Sequence, residues 1–444
     1  MSETYDPLTG PPGRVFLHYA IPSVIGLGAL SSATVVTAIF MGNFVGVAAL
    51  AAVNLSMPAI SLLFAVAFMF AMGGSVITGK LLGEGNPQAA CDVFTKIMLL
   101  ACGIAVALAI PSLLFIDQVV SLLGANTETA GLLVEYLTIL LWAAPLTTTA
   151  YTLYYFVMVD GRPLLACCSL VASSLVNVFM NWLFVVHLEM GIVGAAMAMA
   201  CSYVALLSVL IPHFFSAKAN LRLRWPSGSW KPIGRAAVNG ISEFTNELSV
   251  GVVTLMFNWI LIRRFGTEGV AAFTVVEYVM FVGIMLSYGF ADAVQPLISK
   301  NLGAKNIPRI YQFFRIGIVT TMAISLGMSA LLFFVPEVLI GVFMEDSAAT
   351  TMEIALGFAH YFWPAPLMIG ANIMLTVFFT STDQPLPSAM VAASRSLILP
   401  ASFLLLLPMW LGDTGVFITL PAAEFVALCL ALFLFFGGAG KLTQ

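Results

Sequence analysis

Ionisable side chains lie inside stretches of the second half of this chain that are otherwise apolar. Such a group is costly in apolar surroundings, so it is normally functional or paired with a partner. The first half has almost none, apart from Glu135. Chemistry that involves a proton or another cation is therefore expected in the second half. The candidate residues are Glu243, Glu247, Glu277, Asp292, Arg395, Glu424 and His360.

The stretch NGISEFTNELSV places polar side chains on one face of a predicted helix. Residues three and four apart share a helical face, and this spacing relates Asn239, Glu243, Asn246 and Glu247. Asn258 lies farther along the same predicted helix. Two carboxylates one turn apart repel each other, which favours protonation of at least one of them. Glu247 is the first candidate for a proton carrier, and Glu243 is the second.

The other ionisable groups leave alternatives open. Arg395 could pair permanently with one of the two glutamates, but several carboxylates against a single arginine leave a surplus of negative charge. Glu277 and Glu424 are interpreted as functional. Asp292 is a coupling candidate, although a side chain that reaches water at the end of its span is the preferred interpretation. His360, beside three aromatic residues, is more typical of a packed ring than of a titrating group.

The composition predicts a membrane setting for these groups. Of the 444 residues, 61% are hydrophobic and 9% are charged. Soluble domains are about 45–50% apolar and about 25% charged, whereas a membrane-spanning helix needs about 20 mainly apolar residues. The sequence therefore predicts an all-α membrane protein with twelve transmembrane helices. Their expected bounds are 15–40, 45–72, 92–116, 131–156, 163–187, 191–213, 235–262, 269–296, 313–341, 352–379, 386–410 and 414–437.

The basic residues predict the orientation in the membrane. Of the 17 Lys and Arg, all except Arg263, Arg264 and Arg395 fall at the N-terminus, in even-numbered connections or the span ends beside them, or in the C-terminal tail. Because cytoplasmic loops are enriched in Lys and Arg, both termini are expected in the cytoplasm. The net charge of −4 argues against a nucleic-acid partner. The six cysteines show no metal-ligand spacing, so no cofactor is expected.

The two halves of the chain repeat each other at an offset of about 220 residues. GKLLGEGN ending at Asn86 matches SKNLGAKN ending at Asn306, and DGRPLLA at Asp160 matches TDQPLPSA at Asp383. Six helices per half make parallel repeats around an axis along the membrane normal. We expect a V-shaped molecule with a central cleft and two pseudo-symmetric lobes. The expected segments are tails 1–14 and 438–444, lobes 15–213 and 235–437, and a cytoplasmic linker 214–234.

The blocks GVAALAAVNLSMP, GGSVITGKLLGEGN, GIVGAAMAMA and QPLISKNLGAKN resemble the multidrug and toxic compound extrusion (MATE) transporters. The resemblance covers nearly the whole chain and is closest to the DNA-damage-inducible-F-like branch. It implies a monomer in the plasma (bacterial inner) membrane, in contact with membrane lipids. It also implies export of organic, often cationic, amphiphilic compounds, driven by an inward flow of protons or sodium.

The chain departs from the family pattern in the N-terminal lobe. Thr37 stands where many members carry an Asp in the first helix, and VNVFMN keeps Asn177 but has Asn181 in place of an Asp. Met199 replaces a Thr of the sixth helix. Neutral Thr and Asn side chains do not titrate near neutral pH. The family's N-lobe coupling site therefore lacks its carboxylates, and coupling, preferably to protons, is expected in the C-terminal lobe.

Two other classes of function are weighed against a cation-coupled exporter. A flippase for lipid-linked oligosaccharides would need cationic side chains for pyrophosphate, and Arg395 is the one cation that lies away from the ends of the predicted spans. A membrane enzyme would need a nucleophile, a metal cluster or an acid–base dyad, and no HExxH, GxSxG or GxxxxGK[ST] motif is present. The expectation is therefore a non-enzymatic antiporter of small organic cations that works by alternating access.

Overall fold

The computed structural model describes residues 5–217, 219–341, 349–439 and 442. Within these ranges the chain is helical and contains no strand. In these described ranges, eleven helices are long and apolar enough to cross a membrane, and a bent pair makes the twelfth span. The spans are α1 Pro12–Val45, α2 Val47–Gly83, α3 Pro87–Leu114, α4 Ala130–Val159, α5 Pro163–His187, α6 Gly191–Phe215, α7 Ile241–Gly266, α8 Glu268–Gly303, α9 Ile307–Phe334, α10 Thr350–Phe362 with Ala365–Ser381, α11 Pro385–Leu411 and α12 Thr419–Gly438.

The bend in α10 has a local cause. Its two segments meet at 54° around Trp363 and Pro364. Proline lacks the backbone N–H of a helical residue and crowds the preceding turn, so it breaks the helix at this point. Pro366 follows in the first turn of the second segment, where proline is well tolerated. The predicted number of twelve transmembrane helices is confirmed.

The expected start of the seventh helix at residue 235 is wrong. Lys231–Asn239 forms a separate short helix, and α7 begins at Ile241. The intervening Gly240 lies against α2, where an added Cβ would come within 1.9 Å of the Met69 carbonyl oxygen. Further short helices connect the spans at Ile116–Leu122, Pro336–Gly341 and Asp413–Phe417.

The duplication is visible in the backbone of the turns. Residues with positive φ recur at matched positions of the two halves, although this conformation is uncommon for residues other than glycine. The pairs are Gly46 with Gly266, Gly85 with Lys305, Gly161 with Asp383, and Gly191 with Gly412. The two six-helix lobes α1–α6 and α7–α12 therefore repeat one another's turns as well as their helices.

The lobes pack together at one end of the molecule, where α2 meets α8. A Cβ on Gly83 would lie 2.0 Å from the Lys300 carbonyl oxygen, and a Cβ on Gly303 would lie 1.8 Å from the Lys80 carbonyl oxygen. These two glycines are equivalent in the repeats, so each lobe packs its glycine on the other's backbone. We call this contact the closed end. It is on the side of the N-terminus, because Asn301 Nδ2 of α8 donates to the Pro7 carbonyl oxygen at 3.1 Å.

Polar contacts reinforce the closed end. Lys80 of the N-terminal lobe forms an ion pair with Asp383 of the C-terminal lobe at 2.9 Å, and Asp383 also pairs with Arg235. Gln295 Nε2 of α8 donates to Ser75 Oγ of α2 at 2.8 Å. The lobes are therefore joined by charge and hydrogen bonds as well as by close backbone packing.

Candidate substrate and cation cleft

Carboxylates from two helices of the C-terminal lobe form the acidic cluster, defined as Glu243, Glu247 and Asp292. Glu243 and Glu247 project one turn apart from α7, and both are half-buried. Asp292 on α8 is 6% exposed, so the preferred interpretation of a side chain reaching water is wrong. Glu243 is an electrostatic neighbour of both other carboxylates. Among the described residues, none of the three belongs to an ion pair.

Arg395 is paired with Glu424 and not with a glutamate of α7. Arg395 Nη2 lies 3.2 Å from Glu424 Oε1, and Nε donates to the same oxygen at 3.2 Å. Asn372 Nδ2 donates to Glu424 Oε2 at 2.7 Å. Both charged residues are under 10% exposed. The Glu424 carboxylate is thus held by a cation and an amide, which is the arrangement of a structural ion pair.

Arg395 lies in a turn of π-helix. Residues Ser394–Ile398 insert this turn into α11, and such turns often occur at functional sites. The neighbouring Ser396 Oγ donates to Asn246 Oδ1 of α7 at 2.6 Å. Asn246 in turn lies next to Glu243. The ion pair is therefore connected to the acidic cluster through Ser396 and Asn246.

The structure separates the remaining sequence candidates from the acidic cluster. Asn239 lies in the short helix before α7 and donates to the Thr380 carbonyl oxygen at 2.9 Å. Glu277 is half-buried on α8, about 22 Å along the helix from Asp292 at 1.5 Å per residue. Asn258 is half-buried on α7. His360 is exposed, and its ring packs edge-on against Tyr361 with centroids 5.1 Å apart.

A neutral hydrogen-bonded triad occupies the expected position in the N-terminal lobe. Thr37 Oγ1 donates to Asn177 Oδ1 at 2.9 Å. Asn181 Nδ2 is within 3.2 Å of Thr37 Oγ1 and within 3.1 Å of Asn177 Oδ1. Met199 approaches from α6, where its sulfur accepts from the Tyr136 hydroxyl at 3.6 Å. This triad has no group that exchanges a proton near neutral pH.

The sequence analysis did not identify an aromatic cluster on the N-terminal lobe. Phe64 and Phe68 stack on α2 with centroids 5.7 Å apart, and Tyr151 of α4 meets their edges at 5.4 and 5.3 Å. Tyr155 packs against Phe68 at 6.1 Å, and Tyr203 of α6 lies 6.2 Å from Tyr151. We call these five rings the aromatic wall. The run YTLYYF could have indicated the aromatic wall, because its tyrosines recur at spacings of three and four.

The two tyrosines that α4 contributes to the aromatic wall lie within electrostatic range of the acidic cluster. Tyr151 is an electrostatic neighbour of Glu247. Tyr155 is a neighbour of all three carboxylates of the cluster. Ring faces carry negative electrostatic potential, and an organic cation above them is attracted. Rings on one side and carboxylates on the other create a site that suits an amphiphilic cation.

Metal coordination is not supported by the described residues. Within the ranges given above, no three His, Cys, Asp or Glu side chains come together as a possible metal site. The groups that can interact with a small cation are thus the carboxylates of the acidic cluster and the neutral oxygens of the N-lobe triad.

Twelve apolar spans in two repeated lobes around an acidic cleft define a helical membrane protein of the transporter type. The sequence profile of the MatE family matches residues 22–183 and 245–404. The chain therefore belongs to the MatE family, and the resemblance to MATE transporters is confirmed. The profile matches once in each lobe, in agreement with the duplication. The assignment to the DNA-damage-inducible-F-like branch stays a prediction.

Known relatives extend over almost the whole chain. The multidrug export protein MepA of Staphylococcus aureus (strain NCTC 8325 / PS 47) is 23% identical over 440 residues, which cover 98% of this chain and 95% of MepA. A crystal structure of a MATE protein in complex with MaL6 has a TM-score of 0.93 at 21% identity and covers 99% of both chains. An outward-facing multidrug resistance MATE transporter has a TM-score of 0.91 at 21% identity, covering 99% of this chain and 98% of its own.

Proposed function

We propose that this protein is an antiporter that exports small organic cations in exchange for protons by alternating access. The observation that carries the proposal is the acidic cluster, which forms no ion pair with any described residue, together with the aromatic wall of the other lobe. The export of drugs by the relative MepA supports the substrate class. The name of MepA describes an exporter, and we propose accordingly that this protein is not an enzyme.

The proposed coupling is competition for the acidic cluster. A deprotonated carboxylate attracts an organic cation strongly because the cleft excludes much of the water that screens charge. A protonated carboxylate loses that attraction and, with it, the repulsion of its acidic neighbours. Proton and substrate therefore bind at each other's expense, which is the thermodynamic requirement for exchange. Sodium is the alternative coupling ion.

Roles within the C-terminal lobe follow from the contacts. Glu247 has the Tyr151 ring as a neighbour and is the first proton carrier, with Glu243 and Asp292 as its partners. Glu424 is assigned to holding Arg395, which differs from the role expected from sequence. The functional roles expected for Glu277, Asn258 and His360 stay predictions, because none of the three contacts the acidic cluster.

The orientation is proposed from the basic residues. With both termini in the cytoplasm of a plasma-membrane protein, the closed end faces the cytoplasm and the cleft opens to the outside. Lys218 and Lys441, which contributed to the charge count, lie outside the described residues. A flippase is disfavoured because Arg395, the one cation within the described C-lobe cleft, is neutralised by Glu424.

The test is efflux of a fluorescent organic cation from proteoliposomes, driven by a pH gradient or separately by a sodium gradient. We expect the pH gradient to drive efflux and Glu247→Gln to reduce it about tenfold or more, a normal size for coupling between two ligands. Glu135→Gln, which removes an exposed N-lobe carboxylate, serves as the matched control and should keep full activity. Normal pumping by Glu247→Gln would refute the assignment, and efflux driven only by sodium would refute proton coupling.

A further inference from the structure

The linker between the lobes is fixed to the first turns of α3. The backbone N–H of Arg222 donates to Cys91 Sγ at 3.3 Å, and that of Arg224 donates to Thr95 Oγ1 at 3.1 Å. The N–H of Ser227 donates to Asp92 Oδ1 at 2.6 Å. Since α3 begins at Pro87, these anchor points lie about 6–12 Å along a transmembrane helix. The linker therefore lies at the level of the membrane surface.

The buried Lys96 of α3 also binds the linker. It is only 1% exposed, and its ammonium group bonds to Asp92 Oδ2 at 2.6 Å, to the Ser229 carbonyl oxygen at 3.0 Å and to the Ser227 carbonyl oxygen. The Trp230 ring lies 5.4 Å from the same nitrogen. A buried ammonium with three acceptors is fully satisfied. The linker is thus fixed in place rather than a loose connection.

The outer surface of the linker combines exposed cations with exposed apolar rings. Arg222, Arg224 and Lys231 are exposed, and no described acid pairs with them. Trp225 is 92% exposed. The segment 214–240 contains no Asp or Glu. Exposed tryptophan is costly in water but is favoured at the boundary between lipid and water.

We propose that this surface binds the headgroups of anionic phospholipids in the leaflet at the closed end. Arg224 would offer its guanidinium fork to a lipid phosphate, and Arg222, whose Nη2 also donates to the Ala217 carbonyl oxygen, would offer its remaining N–H groups. Trp225 would insert among the headgroups and upper acyl chains. The absence of acids gives the charge complementarity that an anionic surface needs. The proposal rests on the transmembrane architecture and is independent of the transported substrate.

The test uses quenching of tryptophan fluorescence by brominated lipids. The protein is reconstituted in vesicles of one composition, phosphatidylcholine with phosphatidylglycerol, in which the bromines are on either the anionic or the zwitterionic lipid. The signal of Trp225 is the difference between wild type and Trp225→Phe. We expect this signal to be quenched about twofold more by the brominated anionic lipid, and the preference to disappear in Arg222→Gln/Arg224→Gln.

The matched control removes two exposed cations of the C-terminal lobe, Lys305 and Arg315, by Lys305→Gln/Arg315→Gln. It should keep the preference. Equal quenching by the two brominated lipids would overturn the proposal, and so would an equal loss of preference in the control, because the effect would then come from net charge alone. If neither brominated lipid quenches the Trp225 signal, the linker lies away from the membrane, and this result would also overturn the proposal.

Discussion

At the scale of single residues, the C-terminal lobe contains two kinds of acid within its spans. Glu424 is neutralised by Arg395 and Asn372, whereas Glu247 has no cation beside it among the described residues. We propose that a carboxylate of the first kind stabilises the lobe and that one of the second kind binds a proton or a ligand. The distinction depends on side-chain contacts rather than on residue type.

The first residue-scale prediction concerns the ion pair. Arg395→Met should lower the free energy of unfolding by about 3 kcal/mol or more, because the Glu424 carboxylate is left buried without its cation. The double variant Arg395→Met/Glu424→Gln should recover most of that loss, because the uncompensated charge is removed. Thermal unfolding in detergent, analysed as a double-mutant cycle, measures both. Additive losses would show that the two side chains do not stabilise each other.

Sequence reasoning predicted the acids but not their partners. The asymmetric distribution of charge identified Glu243, Glu247 and Arg395 because an ionisable residue is conspicuous in an apolar span. The pairing of Arg395 with Glu424 depends on how α11 packs against α12, which residue spacing does not encode. The aromatic wall was missed because its rings are common residue types: the chain has 34 Phe and 11 Tyr, and most of them read as ordinary apolar filling.

At the scale of helices, glycines set how closely the lobes approach. An alanine at Gly83 would place a Cβ 2.0 Å from the Lys300 carbonyl oxygen, well short of the ~3.3 Å at which carbon and a carbonyl oxygen normally meet. Glycine is thus required by the neighbouring backbone at this position. Glycine is required at 303 for the same reason, because an added Cβ there would meet the Lys80 carbonyl oxygen in the equivalent contact of the repeat.

The prediction at this scale is that Gly83→Ala and Gly303→Ala both loosen the closed end. Amide hydrogen exchange in segments 75–90 and 295–310 should rise about tenfold, equivalent to about 1.4 kcal/mol of opening free energy. Gly103→Ala on α3 is the control, because an added Cβ there meets nothing within 4 Å. If the control exchanges as fast as the two variants, or if only one of them responds, the reciprocal contact does not govern closure.

The number of spans was predictable from apolar length, but several boundaries were not. The predicted third span began at 92, whereas α3 begins at Pro87, since a helix extends beyond the apolar core into polar residues such as Gln88. The predicted seventh span began at 235, so it included part of the short helix Lys231–Asn239. The close contact between Gly240 and Met69 of α2 is visible only when the two lobes are packed together.

At the scale of the whole molecule, the lobes have diverged in chemistry while keeping one fold. The N-terminal lobe contributes the aromatic wall and the neutral triad of Thr37, Asn177 and Asn181. The C-terminal lobe contributes the acidic cluster. In the proposed exchange, a substrate between them contacts both lobes at once, so its binding and release are sensitive to their relative position. The repeat gives both lobes one helical arrangement, and their divergence places the acidic cluster in only one of them.

The most direct test of the proposed exchange is proton release on substrate binding, measured with purified protein in weak buffer near neutral pH. The ligand should be a quaternary ammonium dye, which cannot titrate. We predict about one proton released for each cation bound, with affinity that rises by up to tenfold per pH unit. In Glu243→Gln/Glu247→Gln the release should vanish, and in Glu135→Gln it should persist. Tight binding by the wild type without proton release would contradict competition at the acidic cluster.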